Sequence, residues 1–356
     1  MSVNGETRLV EVHPHFPERD RIVRCAQVIE KGGLVIFPTE TVYGIAANAD
    51  DPRAIARLRE VKGRADDKPF SILVPNRNAL MKYTPLRSAL LFKLVDRFWP
   101  GPLTVVVPAM EEGKTIGVRM PAHPVATLLL NETQCTVAAP SANLEGKRAP
   151  ATCADALKDL DGLVDVAIDA GMSEYGASST VLDCTQDPPR VLREGIVSQK
   201  DIQKICGQKN ILMVCTGNSC RSVMAEYLLR KYLKPGQDVD VSSAGISVYL
   251  STAASAGSVE VLKKRGVDAS HHLSQPLSTT MLYKSDMILV MTESHRNSVI
   301  QHAPEVHDRV FLLREFVEEG PGGNVEILDP MGQPLSAYEE CVSVIDAAVQ
   351  KLAKLL

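Results

Sequence analysis

From Asn210 to the C-terminus, short apolar runs alternate with longer segments of helical period, and no other feature of this 356-residue chain restricts its fold as tightly. "ILMVC", "VDVSSAG", "MILVM" and "RVFLL" read as strands. "SVMAEYLLRKYL", "SAGSVEVLKKRG" and "ESHRNSVIQHA" read as helices. The closing "YEECVSVIDAAVQKLAKLL" is an amphipathic helix expected to bury Val342, Ile345, Val349, Leu352 and Leu356. Such alternation predicts a doubly wound parallel sheet with helices on both faces. Ligands of these sheets bind at the carboxyl ends of the strands. There, after the first strand, stands "VCTGNSCRS", residues 214–222.

That stretch places a thiol, Cys215, and a guanidinium, Arg221, on one short loop between a strand and a helix. Gly217 and Asn218 tolerate unusual backbone angles, so successive N–H groups can turn inward and form an anion nest at the helix N-terminus. Arg221 adds a planar fork suited to two oxygens of a phosphate. The same positive field favours the thiolate of Cys215, and Ser222 is placed to donate a hydrogen bond to it. A thiolate beneath a bound phosphate can attack phosphorus and form a phosphocysteine. The plainer reading, a buried strand-end Cys and a surface Arg, is outweighed because the match follows a strand, opens a helix and carries Gly-Asn inside. The leaving group needs an acid, and "ILDPMGQP" supplies Asp329 in a Pro/Gly-rich loop ahead of the last helix.

The first two hundred residues have a different rhythm. "RDRIVRCAQVIEKGG" and "DPRAIARLREVKG" read as helices, the second with Pro52 in its first turn. "LVIFP", "FSILV", "LTVVVPA", "IGVRM", "TVAAP", "VDVAID" and "SSTVLD" read as short strands, and "SQKDIQKICG" as a closing helix. The expectation is two α/β domains, 1–207 and 208–356, the first a twisted open sheet. Lys62, Arg64, Lys68, Arg119 and Arg193 are candidates to converge on a polyphosphate, although this part has a net charge of only −1 against −3 for the rest. Neither half is a basic nucleic-acid module by bulk charge. The eight cysteines form no C-x-x-C pair, which argues against a structural zinc site or a disulfide framework. The opening "MSVNGETRLVEV" lacks a basic start followed by an apolar stretch, so no signal peptide is expected, and no apolar run approaches the roughly 20 residues needed to span a bilayer. A cytoplasmic location, without membrane or metal, is the expectation.

With these features, residues 209–356 resemble the low-molecular-weight protein tyrosine phosphatase family: the "VCTGNSCRS" loop, "SSAG" at 242–245, "MTESH" at 291–295 and "DP" at 329–330. The resemblance implies Cys215 as nucleophile, Arg221 as phosphate ligand and Asp329 as general acid and then base. It implies a phosphate loop completed by Thr216, Gly217, Asn218, Ser219, Cys220 and Ser222. It also implies a protective disulfide between Cys215 and Cys220 under oxidation, and no cofactor. Val223 stands where the family usually has Pro. Ser219, Met331 and Gly332 stand where its tyrosine phosphatases have a bulky aliphatic residue and aromatics, so a phosphotyrosine ring loses stacking surface. A small hydroxyl residue at 219 is similar to the protein-arginine phosphatase branch. Phosphotyrosine and phosphoarginine therefore both stay open. The arsenate reductase branch needs further redox cysteines in mid-domain, and none lies between Cys220 and Cys341.

Residues 5–205 resemble the YrdC-like threonylcarbamoyl-AMP synthases. "FPTETVYG", "VKGRADDKPFSIL", "WPGPLT", "TIGVRMP", "APSAN", "SSTVLD" and "LREG" carry the likeness, with the hallmark pairs Lys62/Arg64 and Ser141/Asn143 intact. The resemblance implies that L-threonine, bicarbonate and ATP, the last with Mg²⁺, give threonylcarbamoyl-AMP and pyrophosphate for the threonylcarbamoyl modification of tRNA. Lys62, Arg64, Thr115, Ser141, Asn143 and Arg193 would hold ATP, and Thr39, Arg119 and Ser179 threonine. The extra C-terminal domain of long synthases is replaced here by the phosphatase-like segment. Expected partners are these substrates, a phosphoprotein, downstream tRNA-modification proteins and, as a further contact, RNA. The alternatives are a nucleotide- or RNA-binding module in the first half and a redox-sensing or phosphoprotein-binding domain in the second.

Overall fold

The computed structural model describes residues 6–64, 69–317 and 325–356. The chain divides into two compact units, Met1–Leu86 with Leu94–Gln203, and Arg87–Lys93 with Lys204–Leu356. Among the described residues no helix is long and apolar enough to cross a membrane.

In the first part the elements run β1 (Arg8–Glu11), α1 (Arg19–Glu30), β2 (Val35–Phe37), β3 (Gly44–Asn48), α2 (Pro52–Lys62), β4 (Ile72–Leu73), α3 (Ala89–Phe98), β5 (Leu103–Pro108), β6 (Thr115–Arg119), α4 (Pro124–Glu132), β7 (Val137–Ala138), α5 (Cys153–Leu160), β8 (Val166–Asp169), β9 (Thr180–Asp183), β10 (Arg190–Arg193) and α6 (Gln199–Gly207). The strands form one sheet in the order β1-β8-β2-β3-β7-β4-β6-β5-β9-β10. It is mixed: β4 pairs parallel with β6, whereas β5 pairs antiparallel with β6 and β9 with β10. Helix α2 shows how local chemistry sets an element. The Asp51 side chain accepts from the Arg53 N–H, Pro52 occupies the first turn, and Gly63 at φ 63° closes the end. That stop leaves Lys62 as the last helical residue, and its long side chain is buried. The apolar faces of α1 and α4 cover β2, with Ile22, Ile29, Phe37 and Leu129 in one cluster.

The second part runs β11 (Lys209–Cys215), α7 (Arg221–Tyr232), β12 (Val239–Gly245), α8 (Ala256–Lys264), α9 (Thr279–Lys284), β13 (Met287–Val290), α10 (Glu293–His302), β14 (Val310–Leu312) and α11 (Leu335–Leu355). Its sheet has the order β12-β11-β13-β14, and every pairing is parallel. The chain leaves β11 for one neighbour, β12, and later returns to its other side as β13. The end of β11 is therefore the topological switch point, and Cys215 is its last residue. Val342, Ile345, Val349 and Leu352 of α11 are fully buried against α7, each worth roughly 1.5–3 kcal/mol. Leu356, expected to join them, is only partly buried: it lies past the last turn, at the chain end, where one side faces solvent.

Candidate active sites

Between β11 and α7 the chain turns through Thr216–Cys220, and Asn218 takes a left-handed conformation at φ 49°. Asparagine tolerates that region, and here its side chain also braces the turn. Oδ1 accepts from the Gln275 N–H at 2.9 Å, while Nδ2 donates to Ser222 Oγ at 3.0 Å and Ser243 Oγ at 2.7 Å. The "SSAG" segment closes against it. A Cβ on Gly245 would stand 2.6 Å from the Thr216 carbonyl oxygen, so the approach requires glycine. The loop's carbonyls are held from outside: Ile246 N–H donates to Cys215 O, Ser247 N–H to Thr216 O, Ser255 N–H to Ser219 O and His272 Nε2 to Asn218 O. Among the described residues, the backbone N–H groups of 216–221 donate to no protein acceptor. Backbone donors left in this way beside a helix N-terminus form an anion nest.

At the floor lies Cys215, 3% exposed, with Ser222 Oγ 3.0 Å from its sulfur. The buried Arg221 donates through Nη1 to Ile327 O at 3.1 Å and through Nη2 to Asp329 Oδ2 at 2.5 Å. Asp329 itself is half-exposed. Thr216 Oγ1 lies 2.9 Å from His295 Nε2, and His295 Nδ1 lies 2.8 Å from Thr292 Oγ1, the cap of α10. Burial, with the nearby Arg221 charge second, pushes His295 down to about 4. Cys220, a free thiol, sits 3.1 Å from Ser255 Oγ. Gly217 and Ser219 complete the turn at its outer edge. Residues that sequence reasoning missed are Glu226, His272 and Gln275. None belongs to a short motif: His272 and Gln275 reach Asn218 only through folding, and Glu226 reaches Ser243, which in turn bonds Asn218. Cys341, pushed up to about 12 by burial, lies beside the segment that carries Asp329, its thiol 3.7 Å from Leu328 O.

The first unit contains a cavity of about 430 Å³ whose wall includes Lys62, Arg64, Thr115, Arg119, Ser141, Ser179 and Arg193. These residues come from the ends of α2, β6 and β10, the start of β6, and the segments after β7 and before β9. Among the described residues the wall has four cations and no carboxylate. Lys62 Nζ donates to Ser141 O at 2.6 Å and to Asn143 O, and burial, with the Arg64 charge second, pushes it down to about 8. Arg64 donates to Pro69 O at 3.0 Å and lies 4.9 Å above the Phe70 ring. Arg193 holds Ser179 O through Nε and Nη2, at 3.2 and 2.9 Å. Arg119 donates through Nε to Gly101 O at 3.1 Å and through Nη2 to Glu40 Oε1 at 2.6 Å and Thr41 Oγ1 at 2.9 Å. The residue also lines the cavity, and none of these bonds uses Nη1.

Two expected ligands do not reach the wall. Thr39 turns its hydroxyl to Val42 O at 2.6 Å, shaping the turn that carries Val42 into the cavity. Asn143 accepts from Ser141 Oγ at 2.5 Å and donates to Leu144 O and Lys147 O, so it braces the loop that presents Ser141. Lys68 lies outside the described residues. Glu40, buried behind Arg119, was missed because "TETVYG" gives no sign of which of its polar residues turns inward. A wider cavity of about 840 Å³ between α1, α2 and β8 contains none of the expected site residues.

Residues 27–195 match the Sua5_yciO_yrdC family, described as telomere recombination, and residues 210–356 match the low molecular weight phosphotyrosine protein phosphatase family. A threonylcarbamoyl-AMP synthase of Pyrococcus abyssi is 37% identical over 235 residues, which cover 63% of this chain and 68% of that protein. A protein-arginine-phosphatase of Geobacillus stearothermophilus is 36% identical over 146 residues, 41% of this chain and 95% of the other. A solved structure of a Pyrococcus abyssi Sua5 variant superposes with a TM-score of 0.54 at 27% identity, covering 86% of this chain and 98% of that one.

Proposed function

The chain belongs to the threonylcarbamoyl-AMP synthase family over its first part and to the low molecular weight phosphotyrosine protein phosphatase family over its second, and from that premise we propose a bifunctional enzyme with two independent active sites. In the first, L-threonine, bicarbonate and ATP give threonylcarbamoyl-AMP, pyrophosphate and water, the water leaving as the threonine amine and bicarbonate form the carbamate. The observation that carries this reading is a cavity wall whose described residues include four cations and no carboxylate. Such a wall attracts a polyphosphate and leaves Mg²⁺ to arrive on the nucleotide as part of the substrate. Lys62, Arg64, Thr115, Ser141 and Arg193 hold ATP; Asn143 acts through Ser141. Arg119 takes the threonine carboxylate on its remaining edge, with Ser179 beside it. Thr39 acts through the turn it shapes. The carbamate oxygen attacks the α-phosphorus and pyrophosphate leaves, while the cations offset the developing charge.

In the second site Cys215 attacks a phosphoryl group bound by the loop N–H groups and Arg221. The loop's free donors around a sulfur that faces a hydroxyl carry this reading. Substrate phosphate competes with Asp329 for Arg221. Its arrival frees the Asp329 carboxylate, which takes up a proton from the substrate phosphate or from water and passes it to the leaving group; as a carboxylate again, it takes the proton of the water that cleaves the phosphocysteine. Phosphoarginine on a protein is the favoured substrate. Ser219 is small, Met331 and Gly332 provide no aromatic wall, and the Geobacillus relative is named for that activity. Phosphotyrosine is the second reading, favoured by Tyr249. It is 94% exposed, two residues beyond Ser247, whose N–H holds the Thr216 carbonyl. Two assays on the purified chain test the proposal. The first is threonine-dependent pyrophosphate release from ATP. The second compares hydrolysis of phosphoarginine and phosphotyrosine peptides of one sequence. Pyrophosphate release indifferent to threonine would sink the synthase, and phosphotyrosine cleaved faster would reverse the substrate order.

A further inference from the structure

Beside the segment that carries Asp329 opens a cavity of about 440 Å³, a size within the roughly 300–1,000 Å³ range of ligand pockets. Of the residues placed above in the phosphatase chemistry, Asp329 alone lines it among the described residues. One side is the chain before and after Asp329, with Ile327 and Leu328; Leu328 is 76% exposed. The other side is α11, where Ala337, Glu340, Cys341 and Val344 follow the i, i+3, i+4, i+7 spacing of a single helix face. That face is apolar except for Glu340. The charged residues described in the wall are Arg314, Glu326, Asp329 and Glu340, one cation against three carboxylates, a net −2. Three of them are already engaged. Arg314 Nη1 donates to Glu326 O at 3.2 Å, and Glu326 Oε1 accepts from the Glu293 N–H at 3.0 Å. Asp329 holds Arg221 through Oδ2 and accepts from the Met331 N–H on Oδ1 at 3.2 Å. Glu340 is exposed and makes no hydrogen bond or ion pair with any described residue.

We propose that this cavity is a second recognition site for the protein substrate of the phosphatase, taking a lysine or arginine side chain that flanks the phosphorylated residue, with Glu340 as its ionic partner. The inference rests on the phosphatase reading of the Cys215 site. Asp329 is the reason for placing substrate here. It meets Arg221 in the cup and also forms part of the cavity wall, so a substrate whose phosphoryl group lies in the cup passes the cavity as it passes Asp329. In an extended segment, residues two apart point the same way and stand roughly 7 Å from each other. A side chain flanking the phosphorylated one is thus within reach of the neighbouring cavity. A long cationic side chain matches both parts of the wall: its stem lies along Leu328 and Val344, and its head stays near water, where the exposed Glu340 stands. An acidic neighbour in the substrate meets the net negative wall and is disfavoured. A metal ion does not fit, because no three ligating side chains converge here among the described residues.

The test uses the full chain and two series of otherwise uncharged peptides, one with phosphoarginine and one with phosphotyrosine. Lysine, alanine or glutamate is placed in turn at each of the two positions on either side of the phosphorylated residue. At low salt, kcat/KM for the lysine peptide is expected to exceed that for the alanine peptide by about three- to five-fold at one or more of these positions, the scale of an exposed ion pair, and added salt should shrink the ratio. Glu340→Lys, which keeps a good helix former at an exposed position, should abolish the preference for lysine and favour the glutamate peptide, with p-nitrophenyl phosphate hydrolysis unchanged. Each comparison is a ratio within one protein, so a general loss of rate in the variant cancels. Equal kcat/KM for lysine and alanine at all four positions overturns the proposal, and so does a lysine preference that survives Glu340→Lys. The underlying reading fails separately: an unmodified chain that hydrolyses neither p-nitrophenyl phosphate nor any of the peptides discards the phosphatase, and the recognition site with it.

Discussion

The two sites hold negative charge by different means. The phosphatase cup is built from eight consecutive residues, 215–222, and offers mainly backbone N–H dipoles with a single guanidinium. The synthase cavity draws its wall from residues scattered between positions 42 and 193 and relies on side-chain cations, four among the described residues. Dipoles do not titrate, and their geometry is fixed by the turn. Cations on side chains need support from behind, and each here has it: Lys62 from two carbonyls, Arg193 from Ser179 O, Arg119 from Glu40 and Gly101 O, Arg64 from Pro69 O and Phe70. A contiguous site thus gains rigidity from local backbone geometry, and a dispersed one from the fold around it.

The sharpest way to break this contrast is Cys215→Ser. It leaves the nest and Arg221 in place and replaces only the nucleophile. Phosphatase turnover on p-nitrophenyl phosphate is expected to fall by roughly 10⁴-fold or more, with threonine-dependent pyrophosphate release unchanged. Retained hydrolysis would remove Cys215 from the mechanism. A parallel fall in the synthase rate would show that the sites are not independent.

The same contrast explains what could be read in advance. The cup was legible because its chemistry, its Gly-Asn turn and its place between a strand and a helix all lie within one stretch. The alternation after Asn210 also predicted the parallel sheet that puts this stretch at the switch point. The cavity was legible only as a set of motifs. Spacing alone did not reveal that Glu40 lies behind Arg119, or that Thr39 and Asn143 brace loops and stay out of the wall. Strand β3, "GIAAN", escaped notice because only Ile45 has β-branched character, and its place in the sheet comes from pairing with β2 and β7. Edge strands β1 and β10, largely exposed, carry too little apolar pattern to stand out. Glu226 reads as an ordinary helix-surface carboxylate until β12 brings Ser243 against it.

His295 sharpens the comparison through stability. Its buried ring supports the cup at Thr216 and is held near 4, below the ordinary value of about 6.5. Since the folded-state value is the lower one, the unfolded chain binds the proton first. Stability is complete above about pH 6.5 and declines as pH falls toward 4. At about pH 5 the loss from this group is about 2 kcal/mol. In His295→Asn, the difference in unfolding free energy between about pH 7 and pH 5 should shrink by about that amount. Denaturant melts at the two pH values measure it, and an unchanged difference would mean that the ring is not kept neutral by its site.

Lys62 gives a smaller effect, and it tests whether the synthase site depends on titratable charge where the cup does not. Burial lowers its folded-state value to about 8, although two carbonyls accept from Nζ. The ammonium is present below that value and lost as pH rises through it. If Lys62 holds phosphate, ATP affinity should fall along the same curve. At about pH 9 roughly a tenth of the lysine remains charged, so the KM for ATP should be up to about ten-fold higher than at pH 7. Steady-state pyrophosphate release at saturating threonine, with Mg²⁺ in excess at every pH, reports it. A KM for ATP that stays flat to about pH 9.5 would mean that phosphate binding does not depend on the Lys62 charge. The dispersed site would then resemble the cup more closely than its four cations suggest.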